Sequence, residues 1–388
     1  MQRTLLGVPM VLIACSATAA NWEIAPRLEA GYLYNDNYRL DLPGQEIDVS
    51  GAKGDAAVTF RTVDPRTNFE VTPRIRSTYF PNESDEDSND YYLNAGFTDV
   101  TPRRRISVPF IYSQEDVVRS EFPSTDEGGD LGEPTEGDSG RFVQRNRRDF
   151  FRLAPSFSYD ISQRYRLELD AHYLQADFDN QLSGAQQDFS EFGGGAGFGF
   201  LTSPRSAVLF RALAFQYETT TTTEAYGGEV EWNTQFSPNS RAYVRLGAQD
   251  TQRERGASDT SVIAGAGGQW ASQRNTLFLD LTRSVGPVSA GTVVERHQLR
   301  LRLDHDVSQR FSLRAGARLS RDEEVDEAGT YPTREYAIGE LGFEWRWLRT
   351  LSLIGTYNYR WQEYEDEPSD ASASAFTIGI VFEPKRPD

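Results

Sequence analysis

Between Phe376 and Phe382 every second residue is large and apolar: Phe376, Ile378, Ile380 and Phe382. A period of two places these four on one face of a β-strand. The same alternation recurs upstream with charge on the opposite face. From Val293, Leu299, Leu301 and Leu303 share one side, and Arg296, Gln298, Arg300, Arg302, Asp304 and Asp306 the other. Next, Phe311, Leu313, Ala315, Ala317 and Leu319 oppose Arg310, Ser312, Arg314, Gly316 and Arg318. Around Tyr165, Leu167, Leu169, Ala171 and Tyr173 oppose Arg166, Glu168, Asp170 and His172. In the penultimate strand Leu351, Leu353, Tyr357, Tyr359 and Trp361 point one way.

Short turn signals punctuate these runs, beginning with Asp64-Pro65-Arg66-Thr67 and Thr101-Pro102-Arg103-Arg104. From Gln163 the turns advance through Pro204, Pro238, Gln273, Gln309 and Arg349 in steps of 41, 34, 35, 36 and 40 residues. Longer polar segments such as Pro81–Asp87 lie between them. The unit is a hairpin: strand, tight turn, strand, long loop. Eight short turns predict 18 strands, starting at Trp22, Gly54, Asn68, Asp90, Arg105, Gln144, Arg164, Ser190, Ser206, Glu224, Ser240, Asp259, Asn275, Val293, Phe311, Arg334, Leu351 and Ser372. Charge on a lipid-facing strand position costs about 2–4 kcal/mol at mid-bilayer, so the charged rows must face inward. The fold expected is all-β: a closed antiparallel transmembrane β-barrel with short periplasmic turns, long extracellular loops and both termini in the periplasm. Trp22, Tyr32, Tyr34, Trp345, Trp347 and Trp361 are placed in the interfacial girdles.

This pattern reverses the plain reading of composition. A mean hydropathy of −0.58 and a net charge of −18 would suggest a soluble protein. In a barrel the apolar residues face lipid and the polar ones water. Aromatics at 12% and 32 glycines suit many strands with aromatic belts. No stretch approaches the ~18 apolar residues a spanning helix needs. Residues 1–19 read as a secretory signal peptide: Arg3, an apolar run from Leu5 to Ile13, then Ala17-Thr18-Ala19. Leu12-Ile13-Ala14-Cys15 also fits a lipoprotein cleavage box on the only cysteine. Residues 20–388 then form one barrel domain in the bacterial outer membrane, bounded by lipid and lipopolysaccharide.

Candidate chemistry is confined to the inward rows. Of 40 basic residues only Lys53 and Lys385 are lysine, leaving 38 arginines. Arg74, Arg76, Arg152, Arg166, Arg300, Arg302, Arg314, Arg318 and Arg346 are the residues expected to line the lumen. Arginine stays charged and pairs with carboxylates in a planar fork. Inward acids, among them Glu168, Asp170, Glu229, Asp280, Asp304 and Glu340, nearly match them in number. Two readings stand side by side: the two signs brace the wall against each other, or an arginine excess draws anions through. Gly193, Gly195, Gly197 and Gly199 fall on the inner face, marking a local bend, the close approach of an inserted loop, or a smooth, open stretch of lumen. The acidic loop Val117–Gly140 either stays solvated outside or folds in as a constriction.

Catalytic and metal motifs are missing. His172, His297 and His305 show no metal-ligand spacing, and no nucleophile elbow, phosphate loop or dinucleotide fingerprint is present. No enzymatic activity, cofactor, metal or nucleic-acid partner is expected.

The register Asp304-His305-Asp306-Val307-Ser308-Gln309-Arg310 running into Phe311–Glu323, Gly31–Asn37 and the closing strand together resemble outer-membrane β-barrel porins associated with exopolysaccharide export. That resemblance implies a conduit for secretion of a polysaccharide, beside a periplasmic polysaccharide-export protein and an inner-membrane synthesis complex. Two alternatives remain: a general or small-solute diffusion porin, and a structural or adhesive barrel with an occluded lumen.

Overall fold

A computed structural model describes residues 22–62, 64–123, 125, 138–142, 144–181, 185–253, 258–325 and 331–384. The expected signal peptide, with Cys15, lies outside the described residues.

The chain is a meander of antiparallel strands joined at its ends. In order these are β1 (Trp22–Asn35), β2 (Val49–Thr62), β3 (Thr67–Tyr79), β4 (Ser88–Val100), β5 (Arg104–Asp116), β6 (Arg147–Leu153), β7 (Ser156–Asp160), β8 (Tyr165–Phe178), β9 (Phe189–Ser203) and β10 (Ser206–Glu218). They continue with β11 (Thr222–Ser237), β12 (Ser240–Arg253), β13 (Ser258–Ala271), β14 (Asn275–Val288), β15 (Thr292–Ser308), β16 (Phe311–Glu324), β17 (Arg334–Arg346), β18 (Leu351–Tyr364) and β19 (Ala371–Phe382). A short helix, α1 (Val117–Glu121), follows β5.

β6 and β7 are halves of one strand. Both pair with β5 and with β8 in one continuous register, Leu153 opposite Phe110 and Ser156 opposite Ser107. Pro155, between them, has no N–H to give to the ladder. Its carbonyl still accepts from Ala171 N, and Pro109 O accepts from Ala154 N. The barrel is therefore 18-stranded, as expected. It closes where β1 pairs with β19, Gly31 opposite Gly379 and Tyr34 opposite Phe376. No open edge remains, which is what a sheet needs to cross a bilayer.

The predicted strand starts lie within three residues of the observed ones except at Gly54, where β2 already begins at Val49. That segment carries Gly51, Lys53 and Gly54 and lacks alternation, so its first turn of ladder gave no signal. The two faces divide as the pattern requires. Phe376, Ile378, Ile380 and Phe382 are exposed on the outside, and so are Leu301, Leu303, Leu313 and Leu319. Between them Val381, Arg300 and Arg318 are buried. Trp22, Trp345 and Trp347 are exposed beside short turns, and Tyr32 and Tyr34 near the opposite end of β1. An apolar outer band with aromatic ends on a closed barrel is the architecture of the bacterial outer membrane. No described helix is long and apolar enough to cross a membrane.

Candidate functional site

Pairing register decides which inward side chains meet. β14 and β15 place Asp280 opposite Arg300, and the two join at 2.6 Å. Asp280 also accepts from Tyr243 Oη at 2.6 Å, while Phe278 lies 5.4 Å below the Arg300 guanidinium. Arg302 stands 3.5 Å from Asp304, which accepts from Arg314 at 2.8 Å. On the opposite wall Asp55 gathers Arg74 at 2.8 Å and Arg76 at 3.1 Å, with the Tyr92 ring beneath both. Arg166 pairs with Asp160 at 2.6 Å. Arg346 sits exposed at the short-turn end, 3.5 Å from the Gln309 carbonyl. Arg152 borders a cavity described below. Most of the nine arginines are thus knitted to carboxylates, which favours the bracing reading over an unneutralised wall.

The sequence pattern did not disclose how far the long-loop segments enter the barrel. α1 carries Val117, Val118 and Glu121 out of solvent, with Asp116 capping its first turn through Val118 N at 3.0 Å. Val118 and Phe122 pack with Tyr38, Leu40, Phe80, Tyr336 and Ile338. Val117 packs with Phe150, Leu174 and Phe189. The described part of the 117–140 loop is therefore largely buried, and at these residues the loop folds inward instead of staying solvated. Residues 124 and 126–137 of that loop lie outside the described residues. The physical reason is that Val117, Val118 and Phe122 bury apolar area that a solvated loop would leave in water.

Two further segments meet it. Around Tyr38 and Leu40 the first long loop turns inward, and Arg360 and Gln362 donate to their carbonyls at 3.3 and 3.4 Å. The β14–β15 tip folds across the interior. Ser289 O accepts from Gln187 N at 2.8 Å, and Gly291 O from Thr220 Oγ1 at 2.9 Å. Ser289 Oγ then donates to Glu121 Oε1 at 2.8 Å.

Two carboxylates anchor the 117–140 loop. Glu121 Oε2 accepts from Ser139 N at 2.6 Å, Ser139 Oγ at 2.9 Å and Gly140 N at 2.8 Å. Burial pushes its carboxyl above the usual range, against the lowering effect of those donors. Asp138 meets Arg296 at 2.7 Å, Arg334 at 3.0 Å and Arg318 at 3.7 Å. Burial opposes its charge too, but the three guanidiniums outweigh it and hold the carboxyl below the usual range. Asp322 completes the cluster, bound to Arg296 at 2.6 Å. Of these, only Arg318 was singled out from sequence as a wall residue. Arg296 sat in the right inward row, and its signal was alternation. Nothing in the sequence ties Asp138 to arginines more than 150 positions away.

Between the folded-in tip and the β8–β13 wall lies a cavity of about 220 Å³. Arg152, Arg211, Arg245, Arg283 and Arg296 border it with Asp170, Glu191, Glu229 and His172. The inward glycines of β9 do not make a smooth, open lumen here. The inward side chains of β10 lie over them, so that a Cβ at Gly195 would meet Arg211 and Leu213, and one at Gly197 would meet Arg211 and Leu209. Two other cavities, of about 290 and 360 Å³, lie beside Arg314 and beside Thr219–Thr221. Among the described residues no His, Cys, Asp and Glu grouping could hold a metal ion.

No family model and no curated protein matches the chain. Among solved structures it is similar to OccK2 (OpdF) of Pseudomonas aeruginosa in complex with glucuronate, at 11% identity and a TM-score of 0.47 over 94% of this chain and 99% of that one. It is also similar to the outer membrane protein opdK of the same organism, at 11% identity and 0.48 over 93% and 99%. A loop-deletion mutant of OmpT from Vibrio cholerae aligns at 12% identity and 0.40 over 94% and 99%.

Proposed function

We propose that the chain is a passive outer-membrane channel for small water-soluble solutes. The observation that carries this is the filling of the barrel by its own loops. An 18-stranded barrel is wide enough for an aqueous channel. Here α1, the segment around Tyr38 and the β14–β15 tip enter that width, held by the Asp138 and Glu121 networks and by Arg360 and Gln362. Among the described residues the spaces left include cavities of about 220, 290 and 360 Å³. Spaces of that size suit metabolite-sized molecules and not a hydrated polymer strand. The polysaccharide conduit, with its export partners, is therefore the weaker reading, since it needs three packed segments to leave the barrel together.

The test is conductance of the purified protein in planar bilayers, paired with gene deletion. Discrete ion currents with normal surface polysaccharide in the deletion strain are expected. Loss of surface polymer with periplasmic accumulation would restore the conduit. Complete absence of current would leave an occluded barrel.

A further inference from the structure

The cavity beneath the β14–β15 tip has a mixed lining. The guanidiniums of Arg152, Arg211, Arg245, Arg283 and Arg296 share it with the carboxylates of Asp170, Glu191 and Glu229 and with the apolar side chains of Phe189, Leu213, Phe215, Ile263, Val285 and Val288. Apolar side chains on the inner face are out of place in a barrel whose interior is water-filled and polar. Leu213 and Phe215 alternate inward with Arg211 on β10, while Phe210 stands exposed on the outside. Their burial is made possible by the small β9 glycines behind them and by the tip folded over them.

We propose that this cavity binds an organic anion carrying an apolar body, the anion held by the arginines and the body by the apolar side chains around Phe215. The inference deepens the small-solute reading and rests on it for access, because a ligand reaches the cavity only through the barrel. The chemistry of both kinds of side chain supports it. A guanidinium has five N–H donors in a planar fork, so one that already meets a carboxylate still presents donors to a second acceptor. Arg211 reaches Glu229 at 3.0 Å, and Arg245 reaches the same carboxylate at 3.7 Å. Two guanidiniums thus converge on one acid at the cavity edge. The Phe215 ring, 5.5 Å from the His172 ring and stacked 6.1 Å from Tyr217, offers a flat apolar surface to a planar body. A small inorganic anion would leave that surface wet, and a neutral aromatic would leave the guanidiniums without a partner of opposite charge.

Three probes separate the two kinds of contact: benzenesulfonate has charge and ring, methanesulfonate charge alone, benzyl alcohol the ring without charge. Each is added to the purified barrel in planar bilayers and titrated calorimetrically against the protein in detergent. Benzenesulfonate should bind saturably and reduce the current, with the other two at least about tenfold weaker. Phe215→Ala should bring benzenesulfonate down to the level of methanesulfonate, and Arg152→Gln should weaken both anions. Ile263→Ala, a smaller change among the same apolar lining residues, serves where Phe215→Ala fails to fold. Equal affinity for the three probes, or no binding of benzenesulfonate, would overturn the site. Current without block or binding removes the site and leaves the channel standing. Binding without current upholds the site and removes the channel.

Discussion

Asp138 Oδ2 accepts a hydrogen bond of 3.0 Å from Arg334 Nη1, and both side chains are closed off from solvent. The two residues are 196 positions apart. Against the same guanidinium lies Gly140, whose φ of +69° is open to glycine and strained for other residues. A side chain there would run into the Arg334 guanidinium. The returning limb of the 117–140 loop is therefore fastened by the Asp138 charge and a missing side chain at Gly140, beside the hydrogen bonds that Ser139 and Gly140 give to Glu121.

Asp138→Asn should release that limb. Removing one partner of a buried ion cluster costs about 3–5 kcal/mol, here because Arg296, Arg318 and Arg334 would face each other without their shared carboxylate. The global barrel, held by its continuous ladder, should survive. Single-channel conductance in planar bilayers should rise, and Gly140→Ala should raise it in the same direction. Unchanged conductance in both variants would mean that this limb does not limit passage.

The same pair sets a pH dependence. The Asp138 carboxyl is held below its ordinary value in the folded protein. Its contribution to stability is then fully present above the ordinary carboxylate range and is lost only as pH falls through the lowered folded value. Conductance governed by this clamp should be constant from neutral pH down to about 5. A rise already at pH 6 would point to another group.

How much of this could be read from the chain follows from the range of the forces involved. Alternation is local, so β15 and β16 could be placed from Leu301, Leu303, Leu313 and Leu319 alone. Tight-turn chemistry is local too, and β10, β12, β14, β16 and β18 begin where Ser206, Ser240, Asn275, Phe311 and Leu351 were expected. The inward rows came with the outward ones, which placed Arg300 and Arg318 on the inner face. The loops have no period. Burial of Val118 depends on Tyr336 and Phe80, and the charge of Asp138 depends on strands far along the chain. Sequence separation hides such contacts. Asp138 looked like an acid for water because its neutralising arginines lie on strands far along the chain.

Two arginines from the same inward rows should behave differently. Arg300 is buried against Asp280 at 2.6 Å, so Arg300→Ala leaves a buried carboxylate without its guanidinium. A loss of about 3–5 kcal/mol is expected, reduced by the hydrogen bond that Tyr243 retains. Arg346 is exposed at the turn, and Arg346→Ala should change stability by less than about 0.5 kcal/mol. Urea unfolding in lipid vesicles measures both. Equal effects would show that burial within the rows does not set the contribution of each arginine.

The outer face can be tested at Ile378, which pairs across the closing seam with Tyr32 and is exposed beside Phe376 and Ile380. If this row meets lipid, Ile378→Arg places a charge in hydrocarbon and should cost about 2–4 kcal/mol, less toward either interface. Ile378→Leu keeps the area apolar and should be nearly silent. The informative comparison is between bilayers and short-chain detergent micelles, where an exposed guanidinium reaches water more readily. A penalty in vesicles that shrinks in micelles locates the residue in the membrane. A penalty of the same size in both would mean that Ile378 is needed for packing at the β1–β19 seam, and the lipid-facing assignment would have to rest on Leu301, Leu303 and Leu319 instead.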